Sequence, residues 1–286
     1  MMKRRALLGL ASCLLLCAAP GLAETPRNQT IEAGFRLLYE LKFDEARSTF
    51  QAWQKESPDD PLGPAAEAAS YLFEEFYRQG ALTSEFFLDD KKLLDGIDGK
   101  PDPKLKENFL RTNAHAQESA RRRLAANSGD TDALYVLTIT SGMLGNYAGL
   151  IEKRHFDSLK FTREAEKYAR KLLALKPDSQ DAYLALGASN YIIGCLPVYK
   201  RFFLFFGGIR GDKEEGMKQL SLAAVNGHYL RPYAKILLAL AALREEQPAL
   251  ARTQLEELVA EFPGNPLFAR ELELLKKAPA AGSSRR

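Results

Sequence analysis

The sequence predicts an all-α chain, an α-solenoid of about five helical hairpins with long insertions inside the repeats and a C-terminal capping helix. Three observations predict it. A small residue, apolar residues on the same helical face and a proline recur at one spacing. Each copy is followed by a second apolar segment. A hydrophobic share of 46% and a charged share of 27% over 286 residues suit a soluble chain with a sizeable core.

The chain opens on "MMKRR" and the apolar run "ALLGLASCLLLCAAPGLA", which read as a secretory signal (1–23) with cleavage after Ala23. Pro20 and Gly21 interrupt the run, which falls short of the roughly 20 residues of a span. "LASC" (10–13) resembles a lipobox, so acylation of Cys13 is the alternative. No other apolar run is expected to approach spanning length. Removing Lys3, Arg4 and Arg5 from the 40 basic residues leaves 37 against 37 acidic ones, which argues against a nucleic-acid surface. Cys195 is then the lone cysteine, and its apolar neighbours "YIIGCLPVY" predict a buried, inert thiol.

"TIEAGFRLLYELK" is the first helix, and "FDEARSTFQAWQKESP" (43–58) is its partner. From Ala46, Phe50 lies four residues on, Trp53 seven and Pro58 twelve. The first three share a helical face, and the proline stops the helix. Asp44 and Glu45 suit its positive N-terminal end. The skeleton returns at Ala165, Leu172 and Pro177; at Gly216, Leu220, Ala223 and Gly227; and at Ala251, Leu255, Leu258 and Pro263. A weaker copy has Ala116, Ala120 and Leu124. The second apolar segments are "PAAEAASYLFEEFY", "TDALYVLTITSGML", "QDAYLALGASNYII", "RPYAKILLALAAL" and "NPLFARELELLKK", the last being the cap. Uneven spacing between copies predicts insertions near 79–110, 146–160 and 194–211. The tail "APAAGSSRR" (278–286) is expected to be disordered.

This grammar closely resembles the tetratricopeptide repeat, most specifically at 43–58, 165–187 and 247–263. The resemblance implies one right-handed superhelical domain over 24–277 that binds a protein or extended peptide. Its concave face is made mainly by the first helix of each hairpin. Aligning on "DAYLALG" places Leu184, Ala188 and Tyr191 there, with Tyr135 and Ile139 from one neighbour and Lys235 and Leu238 from the other. The alternative is that the insertions fill this groove and make these residues core.

The third insertion, "CLPVYKRFFLFFGGIRGDKEEG" (195–216), has only Lys200 and Arg201 charged between Leu196 and Phe206. Leu196, Tyr199, Phe202, Phe203, Phe205 and Phe206 either plug the solenoid or meet lipid or another apolar ligand. This stretch also resembles a segment of the eukaryotic outer-mitochondrial-membrane inclusion-body-clearance proteins, which implies a shared insertion architecture and an adaptor role near lipid.

No chemical motif survives inspection. "GGIRGDK" lacks phosphate-loop spacing, and Asp212 reads as a helix cap. "DDKKLLDGIDGKPDPK" (89–104) misses the calcium-loop register and reads as a solvated turn. His115, His155 and His228 form no zinc frame. No catalytic residue, metal or cofactor is expected. The sequence therefore predicts an exported, non-enzymatic scaffold binding a protein or extended peptide in the cell envelope. The alternative is a periplasmic or membrane-surface binder of lipid.

Overall fold

A computed structural model describes residues 26–89, 92, 96–199, 201 and 210–277. Residues 1–23 and 278–286, read as signal and tail, lie outside the described residues. Five hairpins follow one another: α1 (Pro26–Tyr39) with α2 (Phe43–Glu56), and α3 (Leu62–Arg78) with α5 (Pro103–Ala126) across the short α4 (Ser84–Leu88). Next come α6 (Thr131–Asn146) with α7 (His155–Leu175), α8 (Ala182–Cys195) with α9 (Lys213–Asn226), and α10 (Arg231–Arg244) with α11 (Pro248–Glu261). The last helix, α12 (Pro266–Lys277), caps the array. There is no strand among the described residues. The predicted all-α solenoid of five hairpins and a cap is what the chain forms.

The recurring residues are the inner faces of the second helices. Ala46, Ala116, Ala165 and Ala251 are all at most 2% exposed, and Gly216 is buried in the fourth copy. Gly216 sits where α9 meets α8: a Cβ there would lie 2.6 Å from the Tyr191 backbone nitrogen. Phe50, Leu172, Leu220 and Leu258 fill the face beside these small residues and are fully buried.

A further polar position belongs to the repeat. Fourteen residues after the small residue stand Asp60, Asp130 and Asn265. Each precedes the next helix, α3, α6 or the capping α12, and accepts a backbone N–H from it: Leu62 at 3.1 Å, Ala133 at 2.9 Å and Leu267 at 2.9 Å. Such a cap satisfies a donor that the helix itself leaves unpaired. Seven residues earlier, the Trp53 Nε1–H donates to Asp60 at 3.0 Å and the Arg123 Nε–H donates to Asp130 at 2.8 Å. The weak copy thus has Arg123 where the first has Trp53, with the same partner position.

The insertions are shorter than the spacing suggested, because α5 starts at Pro103 and α7 at His155. They are also packed. Ile97, inside the segment expected to be a solvated turn, is 6% exposed, and its N–H donates to the Leu150 carbonyl at 2.8 Å. Leu150 lies in a π-helical turn (Tyr147–Ile151) that prolongs α6. Gly96 makes this approach possible: its φ is +82°, and a Cβ would lie 2.7 Å from that carbonyl. Together α6 and the π turn make 21 continuous residues, Thr131–Ile151, apolar and long enough to cross a membrane. This corrects the expectation of no second apolar run. The segment is a core element, with 67% of its apolar stretch buried.

The two ends of the array meet. The Phe73 ring of α3 packs 4.9 Å from Tyr233 of α10, and Phe35 of α1 stacks on Tyr229 at 5.0 Å. Asn265 donates to the Tyr39 carbonyl at 2.7 Å, and Tyr39 packs against Phe262. The Ser84 hydroxyl donates to Glu271 of α12 at 2.5 Å, and Arg244 donates to the Phe87 carbonyl at 2.5 Å. One buried cluster therefore joins α1, α2, α3, α5 and α6 to α10, α11 and α12, while α7, α8 and α9 pack in separate clusters.

Candidate functional site

Packing between adjacent hairpins decides the fate of the predicted groove. Tyr191 is 5% exposed, Leu184 8%, Leu238 2% and Lys235 5%, so these four are packed inside the chain. The Tyr191 hydroxyl donates to Glu245 at 3.0 Å, and Lys235 pairs with Glu257 at 2.9 Å. Reading them as the lining of an open concave face is corrected by this packing. Leu184, Tyr191 and Leu238 are buried by packing between the fourth and fifth hairpins, apart from the cluster that joins the two ends. Tyr135, Ile139 and Ala188 are half-buried. Cys195 is also half-buried, not fully buried as its neighbours suggested.

Because the helices of a hairpin run antiparallel, the turns between hairpins lie on one rim and the insertions on the other. On the first rim the turns converge around a cleft of about 330 Å³. Asp60 comes from the first turn, Asp132 and Tyr135 from α6, Lys176, Asp178 and Asp181 from the third turn, and Asn226, His228 and Tyr229 from the fourth. Residues from four hairpins thus share one wall. Of the seven predicted groove residues, only Tyr135 reaches it.

Asp181 organises this wall. In its turn the capping aspartate sits two residues later than Asp60 and Asp130 do in theirs, counted from the small residue. Its carboxylate turns away from its own helix. It accepts the backbone N–H groups of His228 at 2.7 Å, Tyr229 at 3.0 Å and Leu230 at 3.3 Å, and the Tyr135 hydroxyl at 2.9 Å. Leu230 holds the capping position of the fourth turn and has no side-chain acceptor, so the preceding hairpin supplies one. Burial pushes the Asp181 carboxyl above the usual aspartate range, against the pull of the His228 amide and the Tyr135 hydroxyl. The Tyr135 hydroxyl is raised in turn, by burial first and then by the Asp181 charge.

His228 is exposed at the cleft mouth, its Nε2 lying 2.7 Å from Glu32 of α1 and its ring 4.1 Å from Tyr229. Carboxylates dominate the wall: Asp60, Asp132, Asp178 and Asp181 face Lys176, with the His228 ring beside them. Such a mouth suits donor-rich groups. No cluster of His, Cys, Asp and Glu placed to hold a metal occurs among the described residues. The sequence offered one usable signal for this site, the polar residue at the fourteenth position, which sequence reading passed over.

On the opposite rim apolar side chains face solvent. Phe156 is 91% exposed, Val198 72% and Tyr199 62%, and Leu196 is half-buried. Of the predicted apolar insertion, Phe202, Phe203, Phe205 and Phe206 lie outside the described residues. Asp212 does cap α9, accepting the Glu215 N–H at 3.0 Å.

No protein-family model matches the chain, and no curated protein matches it. Among solved structures, the chain is similar to a thermophilic tetratricopeptide-repeat protein of Thermus thermophilus. The identity is 13% and the TM-score 0.47, with 88% of this chain and 100% of that one covered.

Proposed function

We propose that the chain is an exported, non-enzymatic scaffold of tetratricopeptide type that binds another protein, or an extended peptide, in the cell envelope. One observation carries this reading: four hairpins converge on a single acidic cleft of about 330 Å³. A peptide laid along the rim would meet residues from each hairpin, and the excess of carboxylates favours one rich in Lys or Arg. Cleavage after Ala23 would deliver the soluble form, and acylation of Cys13 a lipid-anchored one. The test is a photo-crosslinking residue at Asp178, which is exposed at the cleft. It would be placed in the chain within its native envelope and compared with the same residue at Glu118, exposed on α5. A discrete protein captured from Asp178 and not from Glu118 supports the reading. Equal capture from both overturns it.

The exposed Phe156, Val198 and Tyr199 favour a second reading, contact of the insertion rim with a membrane surface or another apolar ligand.

A further inference from the structure

The insertion rim carries a second cleft, of about 200 Å³, between the start of α7 and the end of α8. Thr162, Arg163, Glu166 and Arg170 line it from α7, Ser189 from α8 and Arg210 from the third insertion. Glu166 is engaged inside it: the Ser189 hydroxyl donates to one oxygen, and Arg170 donates to the other at 3.2 Å. Among the described residues that line it, Arg163, Arg170 and Arg210 outnumber the single carboxylate Glu166.

The position of Arg210 is set by close backbone packing. A Cβ on its neighbour Gly211 would lie 2.4 Å from the Gly194 nitrogen and 2.5 Å from the Ile193 Cβ. The returning insertion is therefore pressed onto the end of α8, with Arg210 at the cleft. The exposed apolar residues flank this place. Phe156 stands one turn before Leu159, which lines the cleft, and Val198 and Tyr199 follow α8, whose Ile193 lines it.

We propose that this cleft binds the phosphate of an anionic phospholipid headgroup, with Phe156, Val198 and Tyr199 entering the adjoining interface. Guanidinium forks match phosphate oxygens in pairs, and tyrosine suits the boundary between headgroup and acyl chain. The cleft and the apolar edge thus present the two halves of one lipid surface. The proposal rests on the membrane reading above and adds to it a headgroup class.

The experiment is flotation of the whole chain with vesicles of phosphatidylcholine alone, or of phosphatidylcholine with phosphatidylglycerol. All variants keep residues 1–23, so the contribution of that run is common to them. The pair Arg163→Ala and Arg210→Ala should weaken binding to the anionic vesicles on the order of tenfold and leave binding to neutral vesicles unchanged. Arg122→Ala, a control outside the cleft, should change neither. The pair Val198→Ser and Tyr199→Ser should reduce binding to both vesicle types. Equal binding of the wild type to the two vesicle types overturns the headgroup site and leaves the membrane reading standing. Failure to bind either overturns both. If the double arginine variant loses binding of inorganic phosphate in solution but keeps its anionic-vesicle binding, the ligand is a free phosphate and the lipid assignment falls. Unchanged far-UV dichroism and melting temperature of each variant are the check that these readouts report binding.

Discussion

Replacing Asp181 with alanine removes the acceptor on which the fourth turn depends. The Tyr229 and Leu230 amides and the Tyr135 hydroxyl are donors in half-buried residues, while the His228 residue is exposed enough for water to serve it. Three stranded donors at about 1 kcal/mol each give a loss of about 3 kcal/mol. For a chain of this size that lowers the melting temperature by roughly 6–12 °C. Urea unfolding followed by far-UV dichroism measures it, with the slope checked for constancy. A loss of less than about 0.5 kcal/mol, the level of an ordinary surface change, refutes the assignment of Asp181 as the shared cap.

The same residue supplies a test with a definite sign. Burial raises the folded-state pKa of Asp181 above the ordinary aspartate value of about 3.9. Across the window between these two values the native state holds the proton and the unfolded chain releases it. Wild-type stability from this group is therefore greatest below about pH 4 and declines as pH rises through the raised value. Asparagine does not titrate and keeps one acceptor oxygen, so Asp181→Asn should cost about 1 kcal/mol near pH 4. That cost should shrink toward pH 7. If it grows instead, the four donors outweigh burial and the direction argued here is wrong.

Three further outcomes are expected. Gly216→Ala forces a Cβ to within 2.6–2.8 Å of the Tyr191 backbone and should destabilise by about 1–3 kcal/mol, measured by urea unfolding. Phe50→Ala empties a fully buried site in the first hairpin and should cost about 3–5 kcal/mol in the same assay. Tyr39→Phe removes the hydroxyl that donates to the Tyr229 carbonyl at 3.0 Å, and should cost about 1 kcal/mol while hydrogen exchange quickens in both α1 and the fourth turn.

The hairpins were legible because their signal is local. Ala46, Phe50 and Trp53 lie within two turns of one helix, and their spacing alone assigns them a shared face. The caps were equally local at Asp60, Asp130 and Asn265, but the eye follows apolar spacing and a single polar position escaped it. Asp181 is harder still. A two-residue delay moves it from its own helix to the next turn, and only the folded chain shows that the delay serves Leu230. The meeting of Phe73 with Tyr233 was not legible at all. It depends on curvature accumulated over the hairpins between them, and no short stretch of sequence records that sum.

Burial of the predicted groove residues moves the candidate surface elsewhere. In an open solenoid the first helices of the hairpins face a partner, and Leu184, Tyr191, Lys235 and Leu238 would do so here by register. Here Leu184, Tyr191 and Leu238 pack with Leu220 and Ala234 between the fourth and fifth hairpins, and Lys235 spends its charge on Glu257. What remains for binding is whatever the hairpins present at their ends. Antiparallel packing sorts these ends into two rims of different chemistry: an acidic one at Asp60, Asp132 and Asp178, and an apolar, arginine-bearing one at Phe156, Tyr199 and Arg210. The protein-binding and lipid-binding readings then become compatible, one on each rim. This has a checkable consequence. The arginine pair that weakens binding to anionic vesicles should leave crosslinking from Asp178 intact, and loss of both together would show that the rims are not independent.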